Sequence, residues 1–146
     1  MAKVKNALTQ YFVGPLDGVA EFELAKWISE VNDSTDESTE DTAYYDGDGT
    51  TETEVTAIKL GYEFVGLYDK EDPAQAFIDG LKFLVGDGRK IKFRQVQADG
   101  TTLEGPATVT SIITKGGAAS DYEPFQCTIT WNVVPKVTPP AGVPQG

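Results

Sequence analysis

Histidine is absent from all 146 residues. That removes Ser-His-Asp and Cys-His catalysis, His-ligated zinc and the commonest general base. Carboxylates are the chemistry that remains: 23 Asp and Glu stand against 12 Lys and Arg, a formal charge of −11. Two of them could act as a glycosidase acid and base. With so many, however, pairs arise by chance, and none stands on a strand face beside an aromatic cluster. Asp46-Gly47-Asp48-Gly49-Thr50-Thr51-Glu52-Thr53-Glu54 resembles a calcium loop. That loop needs glycine sixth and a bidentate glutamate twelfth. Counting from Asp46 puts Thr51 sixth and Ala57 twelfth, whereas counting from Tyr44 puts Tyr44 first and Val55 last. Neither register serves, and a solvated turn between strands is the better reading. No catalytic residue, metal ligand or cofactor site is expected.

The carboxylates are unevenly placed. Between Trp27 and Ile58 the chain runs 32 residues without a basic side chain. Within that run stand Glu30, Asp33, Asp36, Glu37, Glu40, Asp41, Asp46, Asp48, Glu52 and Glu54. A loop over 32–54 far exceeds the ~2–5 residues of an ordinary hairpin, and long loops are mostly functional or disordered. Like charges repel and few apolar groups offset the ordering entropy, so a loosely held loop is expected, ordered by a partner surface. Lys90, Lys92 and Arg94, preceded by Arg89, form the one concentrated basic patch, three of them on one strand face. That patch reads either as solvated surface or as a dock for an acidic surface, this chain's own loop included.

The acidic balance argues against a protein that grips nucleic acid, which needs clustered cations. Cys127 is the only cysteine, so no intramolecular disulfide is possible. No apolar run follows Lys3 and Lys5, so no signal peptide is expected, and the apolar stretches fall short of a membrane span. A soluble chain made in a cytoplasm fits these features.

The elements that must position these residues are mostly strands. Thr9–Val13 reads as a short strand closed by Gly14, Pro15, Asp17 and Gly18. Phe22–Val31 is apolar enough for a strand, with imperfect alternation. Val55–Tyr68 alternates cleanly, with Thr56, Ile58, Leu60, Tyr62 and Phe64 on one face. Asp72-Pro73-Ala74-Gln75 predicts a helix over about 72–85: Asp72 caps, Pro73 suits the first turn, and Phe77, Ile78, Leu81 and Leu84 make an apolar stripe. Lys90–Val96, Ala107–Ile113 and Phe125–Val133 are further strands, and Cys127 on the apolar face of the last is a core residue. Pro135–Gly146 holds four of the eight prolines and no period, which suggests an extended arm. The expected architecture is mainly β: two packed antiparallel sheets or a distorted barrel flanked by one helix. One domain is expected over 1–134, with an arm or disordered tail over 135–146.

The order of features resembles a known family. Lys26-Trp27-Ile28 leads into Asn32-Asp33-Ser34, then Tyr45-Asp46-Gly47-Asp48-Gly49-Thr50, then Tyr68-Asp69-Lys70-Glu71-Asp72 before an apolar helix, and finally Phe125-Gln126-Cys127 and a Pro-rich tail. This is similar to the major tail proteins of long non-contractile phage tails, especially in phages of Gram-positive hosts, over roughly Lys5 to Thr138. The resemblance implies a homo-hexameric ring, with rings stacking into the tail tube of the virion after synthesis in the host cytoplasm. It implies a tape-measure protein in the lumen, terminator and tail-tip or baseplate proteins at the ends, and DNA conducted without specific binding or membrane insertion. It places subunit or ring contacts on the long loop, here Asp33, Asp36, Glu37, Glu40, Asp41, Tyr44, Tyr45, Asp46 and Asp48, and on the first eight residues and the Pro135 tail. The basic face of Lys90, Lys92 and Arg94 is the expected dock for that loop. The alternative is a β-sandwich module that binds a cell-surface glycan or protein, and a carboxylate-dependent hydrolase is a third reading.

Overall fold

The computed structural model describes residues 5–43, 45 and 47–139. Ten strands and one α-helix follow in chain order among them: β1 (Gln10–Pro15), β2 (Phe22–Glu23), β3 (Ile28–Asp33), β4 (Asp36–Thr42), β5 (Glu52–Lys59), β6 (Gly61–Leu67), α1 (Pro73–Gly80), β7 (Lys90–Val96), β8 (Thr102–Ile113), β9 (Pro124–Trp131) and β10 (Lys136–Thr138). Eight strands form one antiparallel sheet in the order β2-β1-β7-β8-β9-β6-β3, with β10 also paired to β8, while β4 and β5 form a separate two-stranded ribbon.

The large sheet curls into a half-barrel. Tyr11 on β1 lies edge-on to Phe64 on β6 at 5.0 Å and to Tyr62 at 5.5 Å, although β7, β8 and β9 separate those strands in the sheet. Strand alternation explains why one face can do this. Ile91, Phe93 and Gln95 point inward from β7, and Phe125, Cys127, Ile129 and Trp131 from β9. Trp131 packs on Phe93 at 4.9 Å and donates its indole N–H to the Phe93 carbonyl at 3.1 Å. Cys127 is fully buried in this core, and burial pushes its thiol up to about 12. Helix α1 closes the open side with Ala74 and Ile78, and Leu81 follows them inward.

The helix starts as expected: the Asp72 carboxylate accepts from the Gln75 N–H at 3.2 Å and Pro73 follows it. It stops at Gly80 rather than near residue 85. Glycine favours termination, and the carbonyls of Lys82 and Leu84 turn toward Arg89 instead of continuing the helix.

Three further expectations change. Phe22–Val31 is two strands, broken where Trp27 adopts φ +63. The break lets the Trp27 carbonyl cross Gly66 so closely that a Cβ there would sit 2.1 Å from it. Val55–Tyr68 divides at Leu60 into β5 and β6. Lys136–Thr138 of the expected arm pairs with Thr102–Glu104 of β8, while 1–4 and 140–146 lie outside the described residues.

Two of the segments that carried the family resemblance, Lys26-Trp27 and Asp69–Asp72, meet in space. Lys26 Nζ lies 3.1 Å from Asp69 Oδ2, and the Trp27 indole N–H donates to the same oxygen at 3.3 Å. Buried Gln75 ties them further, donating to the Lys26 and Leu67 carbonyls at 2.9 and 3.0 Å and accepting from the Asp69 N–H. Lys26-Trp27 and Asp69–Asp72 are therefore two halves of one joint between the β2–β3 turn and α1.

Candidate assembly interface

Most of the acidic segment is strand. β4 and β5 pair from Asp36↔Lys59 to Thr42↔Glu52, with a bulge between Ser38 and Thr39. Thr39, Thr42, Thr53, Val55, Thr56 and Ile58 are β-formers. Threonine hydroxyls also supply cross-strand bonds: Thr53 donates to Asp41 at 2.7 Å and Thr56 to the Ser38 carbonyl at 3.1 Å. The ribbon continues outward from β3 and β6, joined by the Ser34 N–H donating to the Gly61 carbonyl at 2.9 Å.

Except for half-buried Thr42, every residue of β4 and β5 is exposed. Asp36, Glu37, Glu40 and Asp41 stand on one strand, Glu52 and Glu54 on the other, with Lys59 as the ribbon's one cation. Glu40 faces Glu54 directly across the pair, a repulsive arrangement. Val55 and Ile58 stand 57% and 46% open to solvent. A lone two-stranded ribbon is marginal in water. Here neither burial nor charge favours it.

Two carboxylates in this region serve the backbone. Asp33 accepts from the Thr35 hydroxyl and from its N–H at 2.8 Å, and those bonds hold it below the usual carboxylate range. Asp48 accepts from the Thr50 N–H at 2.9 Å to close the tip, and its bonding to Thr50 lowers it likewise. Tyr45 is fully exposed at that tip, while Tyr44 and Asp46 lie outside the described residues.

The basic row lies, as its alternation requires, on the sheet face opposite the core. Its charges have acceptors within the chain. Lys90 Nζ is 2.7 Å from Asp87, and Arg94 Nε donates to Glu21 at 2.9 Å while its guanidinium covers the Phe12 ring at 4.3 Å. Lys92 donates to the Gly18 carbonyl at 3.3 Å, and no carboxylate partner stands beside it among the described residues. The structure does not bring this row to the acidic ribbon. β7 and β6 are separated by β8 and β9.

Two surface features escaped the sequence reading. Phe83–Val85 forms an exposed loop after α1, and Arg89 ties it to the sheet, donating to the carbonyls of Lys82 at 2.8 Å, Leu84 at 2.8 Å and Val109 at 3.2 Å. A cleft of about 550 Å³ lies between the ribbon base and the outer sheet face, floored by Thr108, Thr110 and Thr130 and rimmed by Ile58, Val133 and Val134. The run Phe83-Leu84-Val85 was a usable signal for the first. The second depends on where the ribbon bends.

No family model and no curated protein matches the sequence. The fold does match solved structures. A chain in the tail of an empty gene transfer agent particle, refined with helical and C6 symmetry, aligns with a TM-score of 0.75 at 16% identity over 93% of this chain and 99% of that one. A chain in the virion of a native gene transfer agent gives 0.71 at 14% identity, with the same coverage. The tube-terminating cap of the anti-feeding prophage gives 0.54 at 11% identity, covering 95% of this chain and 93% of that one. The chain therefore shares its fold with components of phage-like tail particles.

Proposed function

We propose that this chain is a structural subunit of a phage-type tail tube, assembling as stacked rings of six copies. The observation that carries the reading is the β4–β5 ribbon: a paired, charged arm with no cover of its own among the described residues. A neighbouring subunit supplies what the ribbon lacks. The near-complete fold match to chains of assembled tail particles supports the same reading, and C6 symmetry is a property of one of those particles. The wider partner set (tape-measure protein inside, terminator and tip proteins at the ends, DNA passing through) and a Gram-positive host rest on the sequence resemblance. An acidic chain suits a conduit past which DNA must slide.

Asp33 and Asp48 shape the ribbon's two bends, while Asp36, Glu37, Glu40, Asp41 and Tyr45 face outward as contact residues. Of the basic row, Lys92 is the member best placed to receive a neighbour's carboxylate, since Lys90 and Arg94 already hold one each. Electron microscopy of the concentrated protein, paired with solution size across concentration, tests the assignment. Rings or tubes of uniform diameter are expected. A monomer at every concentration contradicts it.

A further inference from the structure

Strand β8 is longer than its neighbour β9 can cover. β7 lines one side of β8 as far as Thr102, while on the other side the β9 register ends at Ala107. The remaining edge is filled by β10, with Lys136 facing Glu104, Val137 facing Leu103 and Thr138 facing Thr102. β9 and β10 both run antiparallel to β8, so β10 lies farther along the same edge in the same direction. The connection between them is slack. Trp131 faces Ala107 and Lys136 faces Glu104, so five steps along this segment match three along β8. The surplus is looped out, with Val133 and Val134 56% and 70% exposed.

The residues of that connection favour a different shape. Val133 and Val134 are β-branched and suit an extended backbone. Val134 also precedes Pro135, which pushes it further toward extension. Local preference therefore asks for a straight segment where the fold has a bent one. β10 offers little in return: all three of its residues are exposed, so pairing with β8 holds it without apolar burial. Segments of that kind stand at the low end of local stability and open before the core does. Straightened, residues 132–138 reach about 23 Å past Trp131.

We infer that β10 is an exchangeable strap, closed on its own β8 in the free chain and laid on Thr102–Glu104 of a second copy in the assembly. The inference rests on the proposed tube and names one of its contacts. The occupant is a second copy's strap because the fit is already displayed within one chain. An exchanged strap keeps the same register, the same opposite charges of Lys136 and Glu104 facing each other, and the same pairing of Val137 with Leu103. A bare β8 edge would be open to any extended strand, and the exchange leaves none bare. Strap and edge are different parts of the chain, so the contact can pass from copy to copy around a ring or along a stack.

Added cysteines test it, since buried Cys127, its thiol pushed up to about 12, is silent to thiol reagents. Thr102→Cys protein is mixed with Thr138→Cys protein, assembled, and treated with a short bismaleimide. Each chain then carries one side of the seam. A cross-linked dimer is expected in the mixture at least several-fold above either variant alone, and tubes without it overturn the inference. In a second measurement the Thr102→Cys/Thr138→Cys chain is cross-linked at high dilution, which fastens the strap to its own β8. The fastened chain should melt no lower than the open variant yet form no tubes, while the same variant capped with a monofunctional maleimide should form them. Normal tubes from the fastened chain overturn the inference and leave the proposed function standing. Failure of the wild-type chain to form rings or tubes overturns the proposed function and takes the strap exchange with it.

Discussion

One ribbon, two environments: β3 and β6 are the base of the same hairpin whose outer half is β4 and β5. At the base Phe64 is fully buried and Val31, paired with it, packs against the core. Three residues past Asp33 the chain enters β4, where burial ceases except at half-buried Thr42. Backbone pairing stands on both sides of the bend, bridged by the Ser34 N–H on the Gly61 carbonyl, yet only the base has a partner layer beneath it. Hydrogen bonding alone therefore does not decide which half is stable. Apolar burial decides it, at ~25 cal/mol per Å² removed from water.

The comparison can be broken first at the base. Phe64→Ala deletes a fully buried ring touching Tyr11 and Phe93 and should lower stability by about 3–5 kcal/mol in denaturant titration. Gln75→Leu comes next, since it strands the Asp69 N–H and the Lys26 and Leu67 carbonyls at the joint beneath α1. A buried group left without a partner costs about 1–3 kcal/mol, and because these three are only part-buried the joint should lose about 2–3 kcal/mol in all. Asp72→Ala removes the helix cap and should cost about 1 kcal/mol. On the outer ribbon, Val55→Ser/Ile58→Ser should move monomer stability by no more than about 0.5 kcal/mol while abolishing assembly seen by microscopy. An outer-ribbon variant that melts like Phe64→Ala would erase the distinction between the two halves.

The smallest effect is set by pH. Asp33 and Asp48 both have folded-state pKa values held below the ordinary aspartate range by bonds to Thr35 and Thr50. A depressed pKa means that the turn contribution is complete above the unfolded value and is lost as pH falls through the folded one. Acidification below the ordinary aspartate range should therefore release the Thr35 and Thr50 amides, read by NMR, before the core signals change.

Much of the half-barrel is legible in the sequence because burial imposes a period. Phe125, Cys127, Ile129 and Trp131 alternate strictly, and Asp72-Pro73 marks a helix start whose cap is local chemistry. The helix end was harder to read: Leu84 fits the apolar stripe, and only Arg89, several residues later, draws its carbonyl away. The acidic strands were hidden for a different reason. Their charge pattern outweighs a β-forming content of Thr, Val and Ile, and nothing buried marks one face. The break at Trp27 was illegible because the space it needs is made by Gly66, far along the chain. The exposure of the ribbon carboxylates was legible from charge density. The partner of Arg94 was not, because Glu21 reaches β7 only through the β1–β2 turn, whereas Asp87, the partner of Lys90, stands three residues before it and went unread.

Hydrogen exchange on the free chain and on assembled tubes tests most directly whether the outer ribbon is completed by a neighbour. In the free chain, amides of Asp36–Thr42 and Glu52–Lys59 should exchange far faster than those of Gly61–Leu67 on the same ribbon, and in tubes that gap should close. Equal protection of both halves in the free chain, or an outer ribbon that stays fast-exchanging in the tube, would contradict the account.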